Sequence, residues 1–309
     1  MADLSVVIPI YNEEDNIMLL HSRLSAVLAG MQIGYELLFI NDGSRDRSIQ
    51  LLKDLAAKDP RVKYIDFSRN FGHQVAVSAG LDNTSGEAVV IMDADLQDPP
   101  ELIPQLYQKY RDGYEVVYAR RRSREGESWF KKFTARLFYR MLSYLSTVDI
   151  PLDTGDFRII DHKVVEVLRN MPEKSKFLRG QISWIGFRQT FLEYDRQERH
   201  AGVTNYPFKK MLKFALDGIT GFSDLPLRFV TWFGLAVTAF GFLMTIYVLY
   251  SRFILQDYVE GWSSLMITVL FLGGVQMIAI GIIGEYLSRI HSNVRNRPLY
   301  IIREKNFYS

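Results

Sequence analysis

Residues 89–101 read VVIMDADLQDPPE. An apolar run gives way to Asp93, Asp95, Gln97 and Asp98 within six positions, and a proline pair closes the segment. Such a stretch has two readings: a strand that surfaces in an acidic turn, or a strand whose carboxyl end carries a divalent-cation site. Mg²⁺ and Mn²⁺ favour oxygen ligands and combine one or two carboxylates with substrate phosphates. Residues two apart on a chain leaving a strand share a side, so Asp93, Asp95 and Gln97 are expected to face one crevice. The choice between the readings depends on what else the chain brings there.

Working outward, LSVVIPIYN (4–12), YELLFINDGS (35–44), VKYIDFS (62–68) and YEVVYARR (114–121) are further apolar runs separated by helical stretches. Asn12-Glu13-Glu14-Asp15 is expected to open the first helix with acids in its first turn. Short apolar runs alternating with helices predict an α/β domain with a mostly parallel, Rossmann-like, doubly wound sheet. Ligands of such sheets sit beyond the carboxyl ends of the strands. Three of these ends carry charged tails, YNEED (11–15), NDGSRD (41–46) and DADLQD (93–98). The first strand-to-helix turn has no glycine, and no G-x-x-x-x-G-K-[ST] occurs. The dinucleotide and P-loop readings are therefore absent. A nucleotide held here needs its phosphates neutralised by other means, and a carboxylate-bound cation is the substitute.

The chain has 309 residues, a net charge of +2 and no cysteine. Its length suits one large domain or two smaller ones. The near-neutral charge gives no reason to expect nucleic acid as partner. The missing cysteines exclude disulfides, thiolate metal sites and a thiol nucleophile, and fit a reducing compartment. The N-terminal MADLSVVIPIYNEEDN is expected to be a first strand and not a signal peptide.

Two runs, Phe229 to Tyr250 and Trp262 to Gly284, contain no charged residue. A helix needs about 20 such residues to cross a bilayer, so a hairpin of two transmembrane helices is expected. Lys209, Lys210, Lys213 and Arg228 precede it; Arg289, Arg295, Arg297, Arg303 and Lys305 follow it. The positive-inside rule then puts both termini and the sheet domain in the cytoplasm. YPFKKMLKFALDGITGFS (206–223) spaces Phe208, Leu212, Leu216 and Ile219 on one face beside lysines, as an interfacial helix does. The expected division is a domain over 1–205, an interfacial segment over 206–227, the hairpin over 228–290 and a tail over 291–309. RPLYIIRE in that tail reads as a short strand that pairs with a sheet edge, of this chain or of another subunit.

Together, VVIPIYNEEDNI, FINDGSRD, FSRNFGHQVAVSAGLDNTSGEAVVIMDADLQDPPE, GDFRIID and FLGGVQMIAIGIIGEYLSRI give the chain a resemblance to family 2 glycosyltransferases of GT-A fold. It looks most like the polyprenyl-phosphate group, with bactoprenol glucosyltransferases and dolichol-phosphate mannose synthases. The resemblance implies a metal-dependent, inverting transferase bound to the bacterial inner membrane. UDP-glucose and undecaprenyl phosphate are its leading substrates, GDP-mannose and dolichyl phosphate the alternative, and a homo-oligomer its assembly. It carries Pro9, Tyr11 and Glu13 into a donor site and Asp42 onto the base, although Asp42 also suits a turn. It makes Asp93, Asp95 and Gln97 the Mg²⁺ or Mn²⁺ and diphosphate group.

The resemblance also places Asp156 near the acceptor, either as general base or as the residue that orients the sugar or a neighbouring arginine. A phosphate acceptor is largely ionised at neutral pH, its second pKa being about 6, and barely needs a base. Arg120, Arg122, Lys131, Arg136 and Arg199 are the cations expected on the acceptor phosphate, because arginine forks match phosphate. Thr204-Asn205-Tyr206 departs from the Ser-Lys-Tyr of many relatives, so the lysine expected on that phosphate is missing there. Processive polysaccharide synthases share the core but carry Gln-x-x-Arg-Trp, and QISW (181–184) lacks the arginine. A non-catalytic membrane scaffold is the reading from another class, and the intact Asp93 and Asp95 speak against it.

Overall fold

The computed structural model describes residues 2–122, 154–174, 176–195, 225–250, 254 and 261–307. The chain divides into two compact units. The first holds the described residues up to 195 together with 297–307, and the second holds the described residues between 225 and 296.

The first unit is an eight-stranded sheet with helices packed against it. In chain order its elements are β1 (Leu4–Ile10), α1 (Ile17–Gly30), β2 (Tyr35–Asn41), α2 (Ser48–Lys58), β3 (Val62–Phe67), α3 (His73–Asp82), β4 (Ala88–Ile91) and α4 (Ile103–Arg111). Then come β5 (Val116–Arg121), β6 (Thr154–Asp161), α5 (His162–Asn170), α6 (Leu178–Ile185), β7 (Gln189–Tyr194) and, after the second unit, β8 (Ile302–Lys305). The strands lie in the order β7-β5-β6-β4-β1-β2-β3-β8. Pairings β4-β1, β1-β2, β2-β3 and β5-β7 are parallel; β6 runs antiparallel to β4 and β5, and β8 antiparallel to β3. The mostly parallel sheet expected from the alternating pattern is thus present.

The sequence shows why the centre holds. Every residue of β1, β2 and β4 is buried, and strands covered on both faces read as near-continuous apolar runs. Leu4, Val6, Ile8 and Ile10 pack on one face with Leu37, Phe39 and Val90, while Val7, Leu38, Ile40 and Val89 fill the other. Truncating such a side chain to alanine costs about 2–5 kcal/mol. On the second face α3 presses close to the sheet: a β-carbon at Gly80 would lie 2.2 Å from Val7 Cγ1. Only glycine fits there.

The chain winds from β1 to β3 in one direction and then returns to place β4 on the other side of β1. The carboxyl ends of β1 and β4 therefore border the point where the strand order reverses, which is where open α/β sheets bind ligands. The antiparallel β6 brings its own amino end to the same rim. The tail strand expected from RPLYIIRE is β8, and it completes this chain's own sheet at the β3 edge.

The second unit contains α7 (Leu225–Tyr250) and α8 (Trp262–Val294), which contact each other. Among the described residues, Phe271–Val294 is long and apolar enough to cross a bilayer, with 24 residues and a mean hydropathy of 1.4, and Phe229–Met244 is a shorter apolar helical stretch. Large apolar side chains face outward along both helices, Trp232 and Met277 being 72% and 69% exposed. So much continuous exposed apolar surface marks a membrane-associated segment. The segment 206–223, with its lysines, and the Arg228 and Arg289 side chains lie outside the described residues.

Candidate active site

The rim at the switch point has two halves. On the β1/β2 half, residues 11–16 do not begin the helix as expected. Asn12 takes a positive φ of 55°, and α1 starts only at Ile17, with no acid in its first turn. The reason is the neighbouring loop. Asn12 and Glu13 donate their amides to Ser44 Oγ and Ser48 Oγ, both at 3.0 Å. Asn12 Oδ1 and Glu14 Oε2 accept the amides of Arg45 (2.8 Å) and Arg47 (3.0 Å). Tertiary bonds to the segment before α2 thus replace the helix start. Pro9 is buried in β1 opposite Ile40, Tyr11 is exposed, and Glu13 accepts from Asn16 Nδ2 at 2.6 Å.

Asp42 follows β2 and is buried. Its two carboxylate oxygens accept the amides of Phe71 (2.6 Å) and Gly72 (2.9 Å). Burial raises its pKa, against the pull of those two amides. The turn-clamping role that the sequence left open is therefore realised between the β2 and β3 loops.

On the β4/β6 half, register does the assembling. Ile91 pairs with Arg158 across the antiparallel β4-β6 ladder, so the chain two residues beyond on each strand brings Asp93 beside Asp156. His73, at the start of α3, completes the group. His73 Nε2 donates to Asp156 Oδ2 at 2.9 Å and lies 3.7 Å from Asp93 Oδ1. One ligand atom from each of His73, Asp93 and Asp156 falls within 4.8 Å of the others.

Asp156 is held on both oxygens. Arg179 Nε, from the first turn of α6, donates to Oδ1 at 2.8 Å, and Gln74 Nε2 approaches Oδ2 at 3.4 Å. Arg158, buried in β6, lies 3.8 Å from Oδ1. Burial would raise the Asp156 pKa, but the Arg179 charge and the His73 hydrogen bond hold it well below the carboxylate range. Burial would likewise depress His73, yet its bond to Asp156 and the charge of Asp93 lift it to about 9. Asp93 is pushed up to about 6 by burial, opposed by His73 and reinforced by Asp156, Asp98 and Asp95. These carboxylates crowd a site that favours added positive charge. Hard carboxylate oxygens form a donor set that Mg²⁺ or Mn²⁺ accepts, and the protonated His73 adds charge beside it.

Asp93, Asp95 and Gln97 do not alternate along an extended strand. β4 ends at Ile91, and the following loop turns at Leu96, which is buried with φ +60°. A left-handed non-glycine residue held this way is strain of the kind found at functional sites. Asp95 is buried in the same turn, and its Oδ1 accepts the Gln97 amide at 3.1 Å. Asp98 is fully buried and accepts a short bond from Tyr194 on β7.

Arg120 and Arg122 lie on and just after β5, beside β7. Arg120 pairs with Glu193, and its guanidinium sits 3.7 Å from the Phe191 ring centroid. Arg122 reaches Asp195 at 3.4 Å. Lys131, Arg136, Arg199 and the Thr204-Asn205-Tyr206 turn lie outside the described residues. Sequence reasoning singled out neither His73 nor Arg179. His73 stands directly after Gly72 in a stretch that carries the family resemblance, and Arg179 directly before the Gly-Gln-Ile-Ser-Trp segment. No local pattern ties either to Asp156; the topology does.

The family described as Glycosyl transferase family 2 matches residues 5–169, and the GtrB C-terminal hairpin matches residues 225–290. A Bacillus subtilis (strain 168) protein described as uncharacterized glycosyltransferase YkcC is 51% identical over 97% of this chain and 93% of its own length. The SfII prophage-derived bactoprenol glucosyl transferase of Shigella flexneri is 40% identical over 98% of both chains. Among solved structures, Mycobacterium tuberculosis glucosyl-3-phosphoglycerate synthase, in complex with Mn²⁺, UDP and phosphoglyceric acid, is 18% identical with a TM-score of 0.48, covering 71% of this chain and 76% of that one.

Proposed function

The chain belongs to glycosyl transferase family 2 and carries the GtrB C-terminal hairpin, and from that premise we propose that it transfers glucose from UDP-glucose to a polyprenyl phosphate, undecaprenyl phosphate by preference, with inversion at the anomeric carbon. The observation that carries this reading is the convergence of Asp93, Asp156 and His73 at the strand-order switch point of a membrane-associated glycosyltransferase. Near-full-length identity of 40% to a bactoprenol glucosyl transferase supports the choice of sugar and lipid. The proposed layout keeps a cytoplasmic catalytic domain over 1–205, an interfacial segment over 206–227, the membrane hairpin over 228–290 and a cytoplasmic tail over 291–309, in a bacterial inner membrane.

Asp93, with Asp95 and Gln97, would hold the divalent cation beside Asp156 and His73. When bound, the cation supplies Lewis-acid neutralisation of the departing diphosphate. The chain's own groups do the rest. Pro9, Tyr11, Glu13 and Asp42 form the nucleoside side, where the interlocked loops after β1 and β2 fix its walls. Asp156 orients Arg179 and His73, two cations that favour anionic oxygens in the crevice. The acceptor phosphate is already ionised, so no group needs to remove its proton, and a carboxylate held this far below its usual range is a poor base. Arg120, Arg122, Lys131, Arg136 and Arg199 are the proposed acceptor-phosphate contacts.

The test is direct. Purified full-length protein is incubated with a panel of nucleotide sugars, undecaprenyl phosphate and Mg²⁺ or Mn²⁺, and the lipid products are weighed by mass spectrometry. A hexosyl-phospholipid formed from UDP-glucose, and lost on chelation, is the expected result. Transfer from another donor only would replace the sugar assignment, and no product from any donor would remove the reading.

A further inference from the structure

We propose that the C-terminal tail is part of the donor side of the crevice, and that Tyr300 is a positioning residue for the loop that clamps Asp42. The proposal rests on the donor-site reading of Asp42 given above.

The contacts form a continuous path. β8 pairs with the edge of β3 through Ile65–Lys305, Asp66–Glu304 and Phe67–Ile302, with a register shift between Asp66 and Phe67. The irregularity falls where β3 gives way to the 68–72 loop, and the tail holds the first loop residue on both of its backbone groups. Ser68 donates its amide to the Ile301 carbonyl at 3.0 Å, and its own carbonyl accepts from Arg303 Nη2 at 2.9 Å. Lys53 Nζ and Tyr64 Oη both donate to Glu304, at 2.6 and 2.7 Å, and fix the strand behind that point.

Aromatic rings carry the path onward. Tyr300 stacks on Phe67, with centroids 5.2 Å apart and planes 17° apart. Phe67 meets Phe71 edge-on at 5.5 Å and 86°. The Tyr300 hydroxyl donates to Asp82 Oδ2 at 3.0 Å, which ties the ring to the far end of α3. Phe71 and Gly72 then give their amides to Asp42, and Asn70 Nδ2 donates to the Asp42 carbonyl at 3.2 Å. The two loops touch so closely that a β-carbon on Gly43, whose φ is +65°, would lie 2.5 Å from the Arg69 carbonyl carbon.

The 68–72 loop is thus gripped on one side by the tail and on the other by the Asp42-Gly43 turn. It also leads straight into His73. A segment that reaches the sheet only after the membrane hairpin therefore sets the position of the backbone facing the nucleoside. The stacked and edge-on ring contacts bias how often the loop is correctly placed for the donor.

The experiment uses the full-length protein in detergent and measures donor KM and kcat with UDP-glucose, together with the Kd of UDP in the presence of Mn²⁺. Tyr300→Ala is expected to raise both donor KM and UDP Kd roughly tenfold, equivalent to about 1.4 kcal/mol, while kcat and the KM for the lipid stay within about twofold. Tyr300→Phe, which keeps the stack, is expected to restore donor KM. Arg303→Ala, at an exposed position, should move donor KM in the same direction by a smaller factor and provides a variant that folds if Tyr300→Ala does not. An unchanged donor KM in both alanine variants, or a fall in kcat alone, overturns the inference while transfer by the unsubstituted protein preserves the function. Failure of the unsubstituted protein to transfer sugar from any nucleotide donor overturns both.

Discussion

The two halves of the crevice rim are built on opposite electrostatic principles. On the β1/β2 half the buried charge of Asp42 is met by two backbone amides and the loops interlock through hydroxyls and main-chain donors. Those amide bonds oppose, without cancelling, the cost of burying the Asp42 charge, and its pKa stays raised. On the β4/β6 half, Asp156, Asp98 and Asp95 add to the cost of charging Asp93 in a buried place, and His73 offsets only part of it. Buried polar groups are tolerated when bonded, and buried like charges only when compensated. The first half is a finished wall that gives shape. The second gathers like charges, and the proposed cation would sit there.

The largest expected break is at Asp93. Asp93→Asn combined with Asp95→Asn should lower transfer about a hundredfold or more, since several kcal/mol of charge stabilisation would go with the cation. The fold should survive. Asp93 has its pKa raised to about 6, so the native state binds more protons than the unfolded chain between about pH 4 and 6, and stability falls as pH rises through that window. Metal-free Asp93→Asn should therefore melt higher than the unsubstituted protein at pH 7. Added Mn²⁺ should raise only the latter. Equal metal-induced shifts in both proteins would move the cation elsewhere.

Asp156→Asn sharpens the same half. It weakens bonds to two cations, and charge-assisted hydrogen bonds are worth roughly 1.5–3 kcal/mol, so kcat/KM should fall about ten- to a hundredfold. Its residual activity should keep the shape of the original pH–rate profile. Disappearance of the acidic limb, with a far larger loss, would make Asp156 a general base.

Across the rim, Asp42→Ala should leave two amides without their acceptor and destabilise the protein by about 1–3 kcal/mol, measured by chemical denaturation. It should raise donor KM more than it lowers kcat. Should Asp42→Ala instead reduce kcat while KM stays fixed, the division between shaping and charged halves would be misplaced.

The smallest effect is expected from His73→Gln. The His73 pKa is raised to about 9, so its contribution to stability is fully present below its ordinary value of 6.5 and is lost as pH rises through about 9. Its partner Asp156 is depressed, so that contribution holds above the usual carboxylate range and fails only in acid. Melting temperatures of the unsubstituted protein should decline between pH 7 and 10, with a shallower decline in His73→Gln. The side chain is 41% exposed, so solvent screening keeps the difference small.

Much of this was legible in the sequence because it depends on local periodicity and on residue type. Continuous apolar runs of strand length, bounded by charged turns, specify buried parallel strands. Charge-free runs longer than a bilayer is thick specify the hairpin, and the clustering of carboxylates after β4 is visible in residue type alone. Local spacing failed where long-range bonds replaced local ones. The acids after β1 left the expected helix start to bind the next loop, and the turn at Leu96 ended the alternation on which a shared face for Asp93, Asp95 and Gln97 depended.

The sequence by itself determined the layers, the membrane segment and the chemical character of the strand ends. Only the tertiary structure decided which charges meet. His73, Asp93, Asp156 and Arg179 come from four separate segments, joined by an antiparallel register and a strand-order reversal, and Tyr300 reaches the 68–72 loop from beyond the hairpin. Their proximity is a property of through-space packing, and spacing along the chain carries no measure of it.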